Sequence, residues 1–281
     1  MNQNNSESLK QTADTVISLP RQECADSLAK EKNRDSKTVA IVQARLGSTR
    51  LPQKILLDIA GKSMLERVVS RVQKSTLIDQ VVIATTTNEA DQKLVRYCED
   101  RGWSYYRGSE NDVLSRYVET AREFSASQVV RITSDCPLID PDIVDELLAM
   151  SSFTPYQSLD YCCNFYPVRR YPRGLDCESI STSALNRIAQ VARDPKYREH
   201  VTLYAYQNPS EFSIGSLSCS GDCSEFRWTV DTPEDLELVR TIYQHFESSG
   251  DHDFGWRQAY AACQAHPQWQ KINQLVVQKA A

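Results

Sequence analysis

An apolar run that passes without a break into a cationic loop, Val39-Ala-Ile-Val-Gln-Ala-Arg-Leu-Gly-Ser-Thr-Arg-Leu-Pro-Gln-Lys-Ile-Leu56, constrains this chain more than any other stretch. The apolar part reads as a short strand. The loop after it carries Gly47, the hydroxyls of Ser48 and Thr49, and three cations, Arg45, Arg50 and Lys54. Backbone N–H groups and side-chain charge at the end of one strand can grip the same anion, and polyphosphate is the ligand that needs both. The segment predicts a nucleoside triphosphate site.

Other strand-like runs occur at Gln80–Thr85, Ser104–Tyr106, Gln128–Thr133 and Phe226–Val230. Helical spacing appears between them, over Met64–Val72, Asp91–Cys98, Val113–Phe124, Ile143–Met150, Ala184–Val191 and Leu236–Phe246. Such alternation predicts an α/β fold with a mostly parallel sheet covered on both faces. Ligands of these sheets bind beyond the carboxyl ends of the strands.

Two further segments place a carboxylate at that edge. In Val129-Val-Arg-Ile-Thr-Ser-Asp-Cys-Pro-Leu-Ile-Asp140, Asp135 follows a buried strand, and Asp140 with Pro141 begins a helix. In Phe226-Arg-Trp-Thr-Val-Asp-Thr-Pro-Glu-Asp235, Asp231 has the same place, and Thr232, Pro233 and Asp235 form a capping-box variant. Capping accounts for Asp140, Thr232 and Asp235 but not for Asp135 and Asp231. Each of those two could cap a turn or pair with a nearby arginine. Together with the cationic loop they suit Mg2+, which keeps several waters and takes one or two carboxylates beside phosphate oxygens.

The chain has 281 residues and a formal charge of −5. That balance argues against a nucleic-acid or anionic-membrane footprint, which needs a basic surface. No apolar run is long enough to span a bilayer, and no signal sequence opens the chain, so a cytoplasmic protein is expected. Nine cysteines are too many to ignore, but the number is odd and the chain long, so reduced and mostly buried thiols are expected. Cys219 and Cys223 have loop-like spacing around Gly221; zinc there would need two more ligands. Cys136 and Cys177 read as small packing residues. The aromatic residues Trp103, Tyr105 and Tyr106, and the group Tyr156, Tyr161, Phe165, Tyr166 and Tyr171, could stack on a sugar, but core and interface burial account for most such clusters.

Six ordered motifs carry a resemblance. They are Gln43-Ala-Arg-Leu-Gly-Ser-Thr-Arg-Leu-Pro-Gln-Lys54, Gly108-Ser-Glu-Asn-Asp-Val-Leu114, Arg131-Ile-Thr-Ser-Asp-Cys-Pro-Leu-Ile-Asp140, Pro172-Arg-Gly-Leu-Asp176, Arg198-Glu-His-Val-Thr202 and Arg227-Trp-Thr-Val-Asp-Thr-Pro-Glu-Asp235. From about Thr38 to about Phe246 the chain resembles the cytidylyltransferase superfamily, in the branch of the spore-coat polysaccharide biosynthesis protein F type, related to enzymes that make CMP-activated sugar acids. The resemblance implies a three-layer α/β/α, Rossmann-like nucleotide-diphospho-sugar transferase fold. It implies transfer of CMP from CTP to an acidic sugar or related acceptor, with Mg2+ and release of pyrophosphate.

By the same resemblance, Ala44 and its neighbours Gly47 and Ser48 would meet the nucleotide through the backbone, Arg45, Arg50 and Lys54 would hold the triphosphate, and Asp135 and Asp231 would bind the metal. Gln53 stands where relatives often carry Gly. Thr85 and Thr86, at the end of their strand, could bond a base edge or be ordinary strand sequence. The acceptor would lie beside Arg173, Asp176, Glu178, Arg198 and His200. Gly174 suits a loop that a ligand approaches closely, and Arg173 and Arg198 suit a carboxylate or phosphate. The competing reading is an internal ion network among Arg173, Asp176, Glu178, Arg198 and Glu199. In related enzymes the stretch that holds Tyr156, Tyr161, Phe165, Tyr166 and Tyr171 supplies an extra small sheet used for dimer contacts, so a homodimer is expected.

The domains expected are a loosely ordered leader (1–37), a nucleotidyltransferase domain (38–250) and a helical tail (251–281). Two other functions fit parts of the pattern. A glycosyltransferase of this fold would normally show Asp-x-Asp after a central strand, where this chain has Ser134-Asp135-Cys136. A nucleotide- or sugar-binding module without chemistry would have no need of the complete cationic loop and both carboxylates.

Overall fold

The computed structural model describes residues 36–152 and 159–278. The leader, apart from its last two residues, and Tyr156 lie outside the described residues. Among the described residues nine strands are found: β1 (Thr38–Gln43), β2 (Asp58–Ile59), β3 (Lys62–Ser63), β4 (Gln80–Thr86), β5 (Ser104–Gly108), β6 (Gln128–Thr133), β7 (Tyr161–Cys163), β8 (Glu178–Ser181) and β9 (Ile214–Ser216). Seven form the central sheet in the order β5-β4-β1-β6-β8-β7-β9, and β2 and β3 form a separate hairpin. β5, β4, β1 and β6 are mutually parallel. β8 runs antiparallel to both β6 and β7, while β9 is parallel to β7.

Helices cover both faces because β1 is apolar on both. Ala40 and Val42 pack with the helices Met64–Val72, Pro141–Ser152 and Pro233–Ser249. Val39 and Ile41 pack on the other face with Val113–Glu123 and Thr182–Val191. These residues of β1 are all completely buried, as expected of a strand sandwiched between two helical layers. The helices Trp256–Ala265 and Pro267–Asn273 join the first layer, where Phe254, Trp256, Ala259 and Cys263 are buried. Tyr161 stacks on Tyr206 and Tyr171 packs edge-on to Trp256, so these aromatic rings serve the interior of the chain.

One expected strand is corrected. Phe226–Val230 is extended, but its regular pairing is a single bridge between Arg227 and Arg173. Its partner is the irregular Pro172–Leu175 loop. Arg173 N donates to the Phe226 carbonyl at 3.0 Å, and Trp228 N and Thr229 N converge on the Arg173 carbonyl at 2.6 and 3.2 Å. The next bond leaves that loop altogether: Val230 N donates to the Asp135 carbonyl at 2.8 Å. A segment shared between two loops cannot extend a ladder, but it is well placed to carry Asp231 to the end of β6.

Gly174 makes this approach possible. Its φ is +104°, and a Cβ at that position would stand 2.4 Å from Thr229 N and 2.6 Å from the Trp228 carbonyl carbon. Both the left-handed backbone and the contact exclude a side chain. Gly174→Ala is therefore expected to destabilise the protein by about 2–3 kcal/mol. Urea unfolding midpoints measure this, and a variant within about 0.5 kcal/mol of wild type would refute the packing described.

Candidate active site

Because β1 and β6 are parallel neighbours, the segments that follow them emerge side by side. Ser134 N still bonds the Gln43 carbonyl at 3.1 Å, and the chains part there. After β1, Leu46 N is held by a carboxylate oxygen of Asp91 at 2.7 Å, and the other oxygen accepts the Thr86 hydroxyl. Asp91, almost fully buried, ties the cationic loop to the end of β4. The loop then turns at Gln53, whose φ of +52° and ψ of +28° are left-handed. This explains why a glycine would suit the position. A short 3₁₀ turn over Lys54–Leu56 follows, with Ile55 buried and Lys54 turned toward the strand ends.

The Lys54 ammonium sits among three oxygens: Asp135 Oδ2 at 2.8 Å, the Val230 carbonyl at 2.8 Å and Asp231 Oδ1 at 2.9 Å. All three of its N–H donors are thereby taken. Arg50 Nη2 lies 3.0 Å from the same Asp231 oxygen. Arg227 Nη2 donates to Asp231 Oδ2 at 2.9 Å, so both oxygens of that carboxylate face cations. Arg50, Lys54, Asp135 and Asp231 border a cleft of about 370 Å³, also lined by Gln43, Arg45, Gly47, Ser48, Thr133 and Glu199. Arg45 reaches Glu110 at 3.1 Å, and Asn88 holds the second Glu110 oxygen at 3.0 Å.

Burial disfavours both charges of the central pair, and the opposite charge outweighs it in each. Lys54 is pushed above its ordinary pKa by Asp135 and Asp231 against desolvation. Asp231 is held below the ordinary carboxylate range by Lys54, Arg227 and Arg50, again against desolvation.

The hard-oxygen set around the ammonium, two carboxylates and one carbonyl, fits a divalent cation that completes its shell with water and phosphate. The ammonium already marks a cation position. Among the described residues no three His, Cys, Asp or Glu side chains gather as metal ligands. Cys219 and Cys223 are free thiols and have no further zinc ligands there. Cys136 and Cys177 are buried in the core, which raises their thiol pKa values.

The remaining residues singled out in the sequence occupy varied surroundings. Ala44 is buried, its N–H donating to the Ala84 carbonyl at 3.2 Å. Thr85 is fully buried, and its hydroxyl is without a hydrogen-bond partner among the described residues. Asp176 is clamped by both terminal nitrogens of Arg169. Glu178, 3% exposed, accepts from Arg131, Tyr161 and Thr202. Arg198 Nε donates to Asp112 at 3.0 Å, the residue that caps the helix Val113–Glu123. Each of these three therefore pairs with a residue outside the internal network considered above.

Arg173 differs: among the described residues no carboxylate lies within ion-pair distance of it. Burial and the nearby Arg169 charge lower its pKa. His200 ends the short helix Pro195–Glu199, and Val201 beside it has a φ of +32°, a strained conformation for a β-branched residue. Sequence reasoning overlooked Asp91, Glu110 and Arg227 as supports. Only Arg227 had a signal, its place four residues before Asp231.

A carboxyl whose folded pKa is depressed adds stability that is fully present above its unfolded value. That share is lost as pH falls through the folded value. The stability advantage of wild type over Asp231→Asn should thus be constant near neutrality and shrink below about pH 4. Urea midpoints between about pH 7 and 3 measure it; a pH-independent difference would contradict the ion cluster.

The cytidylyltransferase family model matches residues 39–249. Over 211 residues the chain is 33% identical to the spore coat polysaccharide biosynthesis protein SpsF of Bacillus subtilis, covering 73% of this chain and 85% of that protein. It is 37% identical over 116 residues to 3-deoxy-manno-octulosonate cytidylyltransferase of Geobacter sulfurreducens, covering 41% and 46% of the two chains. A solved cytidylyltransferase from Leptospira borgpetersenii superposes with a TM-score of 0.78 at 30% identity, covering 88% of this chain and 99% of that one. The matched stretch contains the cationic loop, Asp135 after β6, Asp231 after the extended segment, and the cleft between them, and the chain belongs to the cytidylyltransferase family.

Proposed function

We propose that this protein transfers CMP from CTP to an acidic sugar or a related acceptor and releases pyrophosphate, as a step in making precursors of surface polysaccharide or glycan. The observation that carries this reading is the convergence of Lys54, Arg50, Asp135 and Asp231 on one cleft at the carboxyl edge of β1 and β6. The similarity to SpsF and to a 3-deoxy-manno-octulosonate cytidylyltransferase supports an acidic sugar as acceptor.

In this reading the triphosphate lies along the loop Arg45–Lys54. Arg45 and Arg50 bind its oxygens, and Lys54, released from the oxygens it holds here, joins them in offsetting the charge that grows on pyrophosphate as it leaves. An acceptor oxygen attacks the α-phosphorus in line, forming one P–O bond as the bond to the leaving group breaks, and positioning with electrostatics supplies most of the acceleration. Asp135 and Asp231 would hold Mg2+, which when bound neutralises phosphate oxygens. Arg173, half-buried and without a counter-ion among the described residues, is the residue best suited to an acceptor carboxylate. Glu178 and Arg198 shape the acceptor side from beneath through Thr202 and Asp112.

A screen of the four nucleoside triphosphates against a panel of acidic sugars, read by pyrophosphate release, tests the proposal. Turnover is expected with CTP and at least one sugar acid. Lys54→Ala is expected to lower kcat about 10²–10³-fold, the scale for removing one charge-stabilising group. Near-normal turnover in that variant would remove Lys54 from the chemistry. Turnover of a preformed nucleotide-sugar, without pyrophosphate release, would replace the proposal with glycosyl transfer.

A further inference from the structure

We propose that Asn273 and Gln278, in the C-terminal segment beyond the family match, are positioning residues that latch Asp231 into the cleft through Arg227 and Asp235. This rests on the functional reading above only in giving Asp231 a role; the latch itself stands on geometry.

Arg227 is a planar fork whose donors face three groups at once. Nη2 meets Asp231 at 2.9 Å, Nε and Nη2 meet the two Asp235 oxygens at 2.9 and 3.1 Å, and Nη1 meets the Gln278 side-chain oxygen. Asp235 in turn accepts the backbone N–H groups of Asp231 and Thr232 at 2.9 and 3.1 Å. The ring of contacts is closed by Asn273. Its amide nitrogen donates to Asp235 Oδ1 and to the Arg227 carbonyl, both at 2.9 Å.

Asn273 is 5% exposed and ends the helix Pro267–Asn273, whereas the Leu275 and Val277 that follow are more than four-fifths exposed. The end of this helix thus buries a two-proton donor against two acceptors of the site. An alanine there would leave Asp235 Oδ1 and the Arg227 carbonyl short of a partner in a place water reaches poorly, a costly arrangement. Arg227 would then gain freedom, and with it the Asp231 carboxylate. Because Asp231 is reached only through Arg227 and Asp235, neither tail residue touches the reacting atoms.

The full-length chain is compared with Asn273→Ala and Gln278→Ala by three measurements. Solvent exchange of the Arg227 Nε proton, followed by NMR without nucleotide or metal, should quicken about tenfold in Asn273→Ala. Mn2+ affinity, read by electron paramagnetic resonance with CTP present, should weaken about tenfold. The kcat should fall by a similar factor with the acceptor KM unchanged. A purely structural role would lower Tm and leave all three unchanged per folded molecule, and that result overturns the proposal. If Asn273→Ala fails to fold, the exposed Gln278→Ala decides: a twofold or larger change in proton exchange supports the latch and none overturns it. Should wild type bind no Mn2+ and release no pyrophosphate, the functional reading falls, and proton exchange alone still decides the latch.

Discussion

A single ammonium group holds the candidate site together. Lys54 comes from the loop after β1, Asp135 from the loop after β6, and the Val230 carbonyl and Asp231 from a segment nearly a hundred residues further on. The three elements meet where unpaired charges would be costly, and each charge is tolerable because the others are present. An ion cluster of this kind is weak evidence for stability but strong evidence for a built position. The oxygens that surround the ammonium are the hard donors a divalent ion takes, and the cations around Asp231 are those a polyphosphate would meet.

The supports of this cluster are as informative as its members. Asp91 fixes the loop backbone at Leu46, Gly174 lets the Trp228–Thr229 backbone come within contact, and Arg227 divides its fork between Asp231 and Asp235. None of these needs to touch a ligand. On the proposed acceptor side, Asp176, Glu178 and Arg198 are engaged by Arg169, Arg131 and Asp112, so charge there is largely neutralised within the protein. Among the described residues Arg173 has no such partner, and the strained Val201 lies in the adjoining motif.

Much of this could be read along the chain. Long elements with clear periodicity, such as Met64–Val72 and Gln128–Thr133, were legible because burial on one or both faces leaves a pattern in a single segment. The short strands β7, β8 and β9 were not, since Tyr161–Cys163 is only three residues long and Glu178-Ser-Ile-Ser181 and Ile214-Gly-Ser216 contain too few apolar residues to show a period. Phe226–Val230 has the composition of a strand, but its hydrogen bonds go to two different loops, a fact no local pattern contains. The capping box at Thr232 and Asp235 was visible in spacing, whereas the further bonds of Asp235 to Arg227 and Asn273 were not.

What the sequence alone determined was the inventory: a buried strand, a cationic loop behind it, carboxylates at two further segment ends, and the six motifs that mark the cytidylyltransferase family. Backbone chemistry and apolar periodicity act over a few residues, so a linear reading reaches them. Tertiary structure alone decided which charges meet. It gave Lys54 to both carboxylates, Arg198 to Asp112, Glu178 to Arg131 and Asn273 to Asp235, because pairing depends on through-space distance across chain separations that leave no local trace.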